Sequence, residues 1–128
     1  MIVLDTHAWL WWVSGSSQLG GKARLEISRA KRIGVPAICC LEVATGVAKG
    51  RIELDRAPLD WMRDALALPR VELLPITPPI AAKAAELPPD FPGDPADRLI
   101  AATAILESAL LVTRDARIRK CPGLRTAW

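Results

Sequence analysis

The chain begins with MIVLD (residues 1–5), in which four apolar residues are followed directly by an acid. A short apolar run of this kind is typical of a strand whose two faces are both buried in a parallel sheet. The sequence LLVT at 110–113 has the same character, and Asp115 follows it after one intervening residue. The two stretches therefore predict two inner strands, each with a carboxylate close to its carboxyl end.

Between these two runs, helical segments alternate with further short strands. Helices are predicted at 6–12, 20–32, 38–50, 58–68, 78–87 and 95–109, and strands at 34–37 and 71–76. Strands that alternate with helices are joined by right-handed crossovers, which place helices over both faces of a parallel sheet. We therefore predict an α/β fold with three layers, α/β/α, around a central, mainly parallel sheet.

The length and composition indicate one folded domain, residues 1–128, because 51% of the residues are hydrophobic and 24% are charged. The apolar stretch at 8–13 is much shorter than the roughly 20 residues of a bilayer-spanning helix. No Lys or Arg precedes that stretch, as it would in a secretory signal. We expect a cytoplasmic protein with no membrane segment. Its three cysteines have no C-x-x-C spacing, so we expect buried, reduced thiols at Cys39, Cys40 and Cys121.

Five acids occupy positions to which the predicted fold gives chemical meaning: Asp5, Glu42, Asp94, Asp97 and Asp115. Ligands of open parallel sheets bind at the carboxyl ends of the strands, where Asp5 and Asp115 are expected. Each acid also has an ordinary structural interpretation. Asp94 before Pro95 is a favourable N-cap, and Asp97 then lies in the first turn of the helix. Glu42 is compatible with an ion pair, and Asp115 with a turn.

Several carboxylates at one sheet edge repel one another by roughly 4 kcal/mol for each close pair, so they require a cation. Oxygen ligands favour Mg²⁺ or Mn²⁺, whereas Zn²⁺ is disfavoured by the single histidine and the absence of paired thiols. A hard cation at this place indicates hydrolysis of a phosphodiester bond by metal-activated water. Packing or hydrogen bonding is the expected role of His7, rather than general-base chemistry. We expect Trp9, Trp11 and Trp12 to lie in the core or in a dimer surface rather than to stack on bases.

The charge of the remaining chain is basic, although the formal net charge is only +3. Setting the five acids aside leaves nine Asp and Glu against 17 Lys and Arg, a formal charge of +8. An acidic pocket in a basic surface suits a polyanionic substrate. Three arginines close in sequence to the last acids are candidates for binding its phosphates: Arg98, Arg114 and Arg117.

Four stretches of the chain, taken in their order and spacing, resemble the PIN-domain family, and within it the VapC-type toxins of prokaryotic toxin–antitoxin pairs. They are LDTHAWLWW (4–12), LEVATGVAKGRI (41–52), GDPADRLIAATA (93–104) and LLVTRD (110–115). The resemblance implies a metal-dependent ribonuclease with a PIN-like fold. It also implies that Mg²⁺ or Mn²⁺ is bound by Asp5, Glu42, Asp97 and Asp115.

Three further residues acquire accessory roles from the resemblance. Asp94 corresponds to a common feature of one branch of the family, as an accessory or capping residue. Thr113 corresponds to a small hydroxyl residue that orients a ligand or water, and Thr6 is a candidate for supporting the metal ligands. The resemblance further implies an RNA substrate, products with 5′-phosphate and 3′-hydroxyl ends, a homodimer, and a cognate antitoxin. A segment of that antitoxin would occupy the groove and direct a basic residue into the acidic pocket.

Two other functions are compatible with the same fold. In a phosphoacceptor domain the acid after the first strand is phosphorylated, but such domains usually carry a neighbouring acid, and LDTHA at 4–8 lacks one. In a non-catalytic RNA-binding or interaction module, RNA would be retained regardless of chelator and of the loss of any one acid. The complete set of acids favours the enzyme over both.

Overall fold

Five strands form one sheet in the computed structural model, which describes residues 1–128. The strands are β1 (Ile2–Leu4), β2 (Ile33–Pro36), β3 (Val71–Leu74), β4 (Leu110–Val112) and β5 (Thr126–Ala127). Their order is β3-β2-β1-β4-β5, and all four pairings are parallel. Ile2 of β1 is in register with Ile33 on one side and with Leu110 on the other.

Seven helices connect these strands. They are α1 (Thr6–Ser14), α2 (Gly21–Arg29), α3 (Ala37–Ala48), α4 (Pro58–Leu66), α5 (Pro78–Glu86), α6 (Pro95–Leu106) and α7 (Ala116–Arg119). Every residue of β1 and β2 is buried, whichever face of the sheet its side chain points to. Both faces of the sheet are therefore covered, and the predicted α/β architecture with a parallel sheet is confirmed. None of the helices is long and apolar enough to cross a lipid bilayer.

The order of the strands creates the crevice in which a site is expected. The chain runs outward from β1 to β2 and β3, and then crosses to the other side of β1 to form β4 and β5. The direction of the connections therefore reverses between β1 and β4. In parallel sheets, ligands bind outside the carboxyl ends of the two strands at such a reversal. Asp5 follows β1 directly, and Thr113 to Asp115 follow β4.

The buried surface of α6 differs from the predicted one. The apolar spacing favours Leu99, Ala102, Ile105 and Leu106 as the core-facing residues. In the structure Leu106 is 46% exposed, whereas Ile100, Ala101, Thr103 and Ala104 are buried together with Ala102. The reason is that α6 contacts β1, β2 and β4 as well as α3 and α5, so small residues are needed on several sides of it.

Two short elements of the structure are not predicted, namely α7 and β5. Helix α7 has four residues and β5 has two, which is too short to produce a periodic pattern. The predicted helix at 95–109 is also too long. It ends at Leu106, and Ser108 takes a left-handed conformation with φ of 51°, which an α-helix excludes.

Candidate active site

A pocket with a volume of about 720 Å³ opens at the carboxyl ends of β1 and β4. All five acids predicted from the sequence line it, together with three arginines: Asp5, Glu42, Asp94, Asp97, Asp115, Arg51, Arg114 and Arg117. Thr6 also lines the pocket. The convergence of acids that are up to 110 positions apart in the chain is thus present in the folded protein.

Asp5 is fixed at the junction between β1 and α1. Its backbone N–H donates to the carbonyl of Val112 at 3.1 Å, and its Oδ1 accepts from the backbone N–H of Ala8 at 2.8 Å, which caps α1. Burial raises the pKa of Asp5, while the Thr113 hydroxyl and the Ala8 N–H act in the opposite direction. Because Thr113 is completely buried at the end of β4, its hydroxyl gives Asp5 a well-packed partner.

Glu42 is held by a residue from another helix. The hydroxyl of Thr6, on α1, donates to Oε1 of Glu42, on α3, at 2.5 Å. Thr6 itself is buried, with 6% of its surface exposed. The contact leaves the second carboxylate oxygen of Glu42 without a protein partner, so Thr6 supports an acid of the pocket.

Helix α6 carries two of the acids at its N-terminus. Asp94 is the N-cap, as the sequence predicts, and its Oδ1 accepts from the backbone N–H of Ala96 at 2.9 Å. Asp97 lies in the first turn and accepts no hydrogen bond. Burial, followed by the charges of the neighbouring carboxylates, raises the pKa of Asp97 to about 6. The neighbouring charges are those of Asp94, Glu42 and Asp115, which line the same pocket.

Asp115 has a cationic partner within the chain. It caps α7 through an Oδ1 contact with the backbone N–H of Arg117 at 2.9 Å. The Arg117 side chain donates to both carboxylate oxygens, from Nε at 3.2 Å and from Nη2 at 2.8 Å, and thereby lowers the pKa of Asp115. The same Nη2 lies 3.9 Å from Oδ2 of Asp97. Arg117 therefore bridges two acids of the pocket.

Arg98 does not face the pocket, and its predicted phosphate-binding role is wrong. Its guanidinium donates to backbone carbonyl oxygens of the segment 84–92, which includes the Pro-rich connector: those of Ala84, Leu87, Pro88, Phe91 and Pro92, at 3.1 to 3.4 Å. It also lies 5.7 Å from the centroid of the Phe91 ring. Because all three nitrogens are occupied, Arg98 stabilises the connector that leads into α6.

Arg51 lines the pocket, although the sequence analysis does not single it out. It follows Gly50, whose φ of 71° turns the chain back after α3. The signal available in the sequence is that LEVATGVAKGRI places an arginine one residue after a helix-stopping glycine. Nothing in a single sequence shows that the turn leads back to the acids.

The aromatic residues near the start of the chain are core residues, as predicted. Trp9 is fully buried, and its ring centroid lies 5.0 Å from that of Trp61 in an edge-to-face arrangement. Trp11 is 8% exposed and packs against His7 at 5.2 Å. Trp12 is half-buried against the same core.

The burial of the cysteines agrees only in part with the prediction. Cys39 and Cys121 are buried, but Cys40 is only half-buried, and all three thiols are free.

The acids do not form a ready-made ion cage. No three His, Cys, Asp or Glu side chains are arranged so that one metal ion could bind to all of them. Most of the carboxylates instead accept from protein donors, namely the N–H groups of Ala8 and Ala96, the Thr6 hydroxyl and Arg117. The donor set nevertheless consists of carboxylate oxygens, which suits a hard divalent cation that retains several waters.

Comparisons with known proteins agree with this fold and this set of acids. The PIN domain model matches residues 2–124. Ribonuclease VapC22 from Mycobacterium tuberculosis is 40% identical over 129 residues, which cover 99% of this chain and 98% of the relative.

Two solved structures share the fold. One is DNA-bound VapBC from Salmonella typhimurium, with a TM-score of 0.74 and 19% identity over 99% of this chain and 98% of that chain. The other is a toxin–antitoxin complex from Klebsiella pneumoniae, with a TM-score of 0.71 and 22% identity over 100% of this chain and 97% of that chain. Together, the match to residues 2–124 and the relative of nearly equal length show that this chain belongs to the PIN-domain family, in its VapC group.

Proposed function

We propose that this protein is a metal-dependent endoribonuclease of the VapC type, with residues 1–128 acting as one nuclease domain. The observation that carries the proposal is the single pocket lined by Asp5, Glu42, Asp97 and Asp115 at the reversal point of the sheet. The name of the relative that is 40% identical, a ribonuclease, supports RNA as the substrate. An RNA substrate in turn favours action in the cytoplasm.

The proposed division of roles follows the environment of each side chain. Asp5, Asp97 and Asp115 would hold Mg²⁺ or Mn²⁺ directly or through water, and the Thr113 hydroxyl would support Asp5. Glu42, fixed by Thr6, completes the ligand set or orients the attacking water with its second oxygen. The bound cation supplies activation of water and polarisation of the phosphoryl oxygen. The products have 5′-phosphate and 3′-hydroxyl ends.

A second cavity supports an antitoxin as partner. It has a volume of about 850 Å³ and is continuous with the acidic pocket, since His7, Arg51 and Ile52 line both. Eight of its 17 lining residues are hydrophobic, among them Leu10, Val13, Leu54 and Trp61. We propose that an antitoxin segment binds in this cavity and places a basic residue among the acids. The similarity of this chain to DNA-bound VapBC and to a toxin–antitoxin complex supports an antitoxin as its partner.

The homodimer stays a prediction from the family resemblance. Several large apolar side chains are exposed, among them Leu41 at 61% and Leu106 at 46%. Measurement of the molar mass in solution, by light scattering after gel filtration, checks the dimer.

The decisive experiment is cleavage of purified single-stranded RNA with EDTA, and then with excess Mn²⁺. We expect cleavage to stop with chelator and to return with the metal. Asp97→Asn abolishes cleavage while far-UV circular dichroism stays that of the wild type. Asp60→Asn, an exposed acid in the first turn of α4 that lines neither cavity, is the matched control and stays active.

Undiminished turnover by Asp97→Asn would refute its role in the metal site. RNA that is retained but never cleaved, with or without metal, would instead favour the non-catalytic RNA-binding module.

A further inference from the structure

The three arginines that the sequence places near the last acids have different environments. Arg98 has all its nitrogens occupied by backbone carbonyls. Arg117 forms ion pairs with Asp115 and Asp97. Arg114 has neither a carboxylate partner nor a hydrogen bond from its guanidinium, although it lines the acidic pocket. Its N–H donors are therefore free for a ligand.

The guanidinium of Arg114 nevertheless stacks on an aromatic ring, although the residue is exposed. Its Cζ lies 4.6 Å from the centroid of a Trp11 ring, which is a cation–π contact. Such stacking orients the plane of a guanidinium without using its N–H groups. Trp11 is itself fixed, since it is nearly buried and packs against His7 at 5.2 Å and against Trp128 at 5.7 Å.

The backbone of Arg114 is as well supported as its side chain. It lies between Thr113, which is fully buried at the end of β4, and Asp115, which caps α7. The Thr113 hydroxyl accepts from the backbone N–H of Asp115 at 3.1 Å, which closes the turn around Arg114. The result is an oriented cation with free donors, directly beside the acids.

We propose that Arg114 binds a phosphate of the RNA substrate and that Trp11 is a positioning residue that holds Arg114 for this contact. The proposal rests on the ribonuclease function proposed above. A planar guanidinium offers two parallel N–H donors that match the oxygens of a phosphate. Arg51 also lines the pocket, but no aromatic ring stacks against its guanidinium.

The test compares Arg114→Gln with Arg119→Gln by steady-state cleavage of a mixed-sequence single-stranded RNA with Mn²⁺. Arg119 is the matched control, because it lies on the same segment, is exposed and lines neither large cavity. We expect Arg114→Gln to raise KM about tenfold, the effect of one charged hydrogen-bonded contact, with kcat changed by less than about twofold. In a plot of log KM against the logarithm of the salt concentration, the slope should be smaller by about 0.7 for Arg114→Gln than for the wild type. This value corresponds to one phosphate contact on a single strand.

Trp11 is tested by a double-mutant cycle. Trp11→Leu should raise KM when Arg114 is present and should have no further effect in the Arg114→Gln background. Trp11→Phe, which keeps an aromatic ring, should retain most of the wild-type KM. An equal rise of KM in both backgrounds would mean that Trp11 acts only through the stability of the core, and this would overturn its positioning role.

The outcomes separate this inference from the proposed function. If the wild type cleaves RNA and the KM of Arg114→Gln equals that of Arg119→Gln, the contact with Trp11 is purely structural and the inference is overturned, while the ribonuclease function stands. If the wild type neither binds nor cleaves RNA, the proposed function fails and this inference fails with it.

Discussion

Asp97 and Asp115 line the same pocket but have opposite electrostatic surroundings. Asp115 is paired with Arg117 through both carboxylate oxygens, and its pKa is lowered. Asp97 accepts no hydrogen bond, is partly buried among other carboxylates, and its pKa is raised to about 6. The chain thus supplies a close counter-ion to Asp115 on the α7 side of the pocket, whereas the same arginine lies 3.9 Å from Asp97 on the α6 side. The difference indicates that the α6 side has more to gain from an added cation.

The largest expected effect is on catalysis, and here the two acids should behave alike. Asp97→Asn and Asp115→Asn should each lower kcat/KM for RNA by at least about a hundredfold, because both remove charge from the proposed metal site. Cleavage assays at saturating Mn²⁺ measure this. Retention of activity by one of the two variants would assign that acid to structure alone.

The next effect distinguishes the two acids, because their influence on stability should differ in sign. In EDTA at pH 7, Asp97→Asn should raise the free energy of unfolding by about 1 kcal/mol, a value reduced for partial exposure to solvent. Asp115→Asn should lower it by less than about 1 kcal/mol, since Asn still caps α7 but loses the exposed ion pair with Arg117. Urea titrations of the three proteins measure both changes. If both substitutions changed the free energy of unfolding in the same direction, the two acids would not have opposite electrostatic surroundings.

The pH dependence of the same difference gives a further test. Asp97 binds its proton more tightly in the folded protein, with a pKa of about 6, than in the unfolded chain, where the value is 3.8. The folded wild type therefore takes up a proton that the unfolded chain does not hold, and it gains stability as the pH falls from about 7 to about 4. Asp97→Asn lacks this gain. Its higher free energy of unfolding, relative to the wild type, should therefore disappear near pH 4. If the difference in the free energy of unfolding between the variant and the wild type did not change with pH, the charge of Asp97 would not destabilise the folded protein.

The smallest expected effect concerns the counter-ion itself. Arg117→Gln should bind Mn²⁺ about threefold more tightly than Arg119→Gln, because it removes a cation that competes for Asp115 and Asp97. Isothermal titration calorimetry of the metal-free proteins measures this without RNA. Weaker Mn²⁺ binding by Arg117→Gln would show instead that Arg117 holds the acids in a favourable arrangement.

The parts of the site that lie at strand ends could be predicted from the sequence, because an apolar run followed by an acid reports both the strand and its edge. MIVLD and LLVT were sufficient to place Asp5 and Asp115, and the Asp94–Pro95 pair was sufficient to start α6. The contact between Thr6 and Glu42 could not be predicted in the same way, since it joins residues 36 positions apart through the packing of two helices.

The role of Arg98 and the buried side of α6 could not be predicted from the pattern of residue types. The acceptors of Arg98 are main-chain carbonyls, which every residue possesses, so the neighbouring acids suggested a different role. The core-facing side of α6 depends on how many neighbours surround the helix, and hydrophobic spacing measures only one face.

Three of the acids, Asp5, Asp94 and Asp115, each use Oδ1 to begin a helix. The start of α1, α6 and α7 and the placement of these three acids at the pocket are therefore one structural event. A growing or partly unfolded chain that has not formed these helix ends has no gathered carboxylates to offer a cation. Metal binding by the nuclease that we propose would accordingly depend on the formation of these helix ends and on the pairing of β4 with β1.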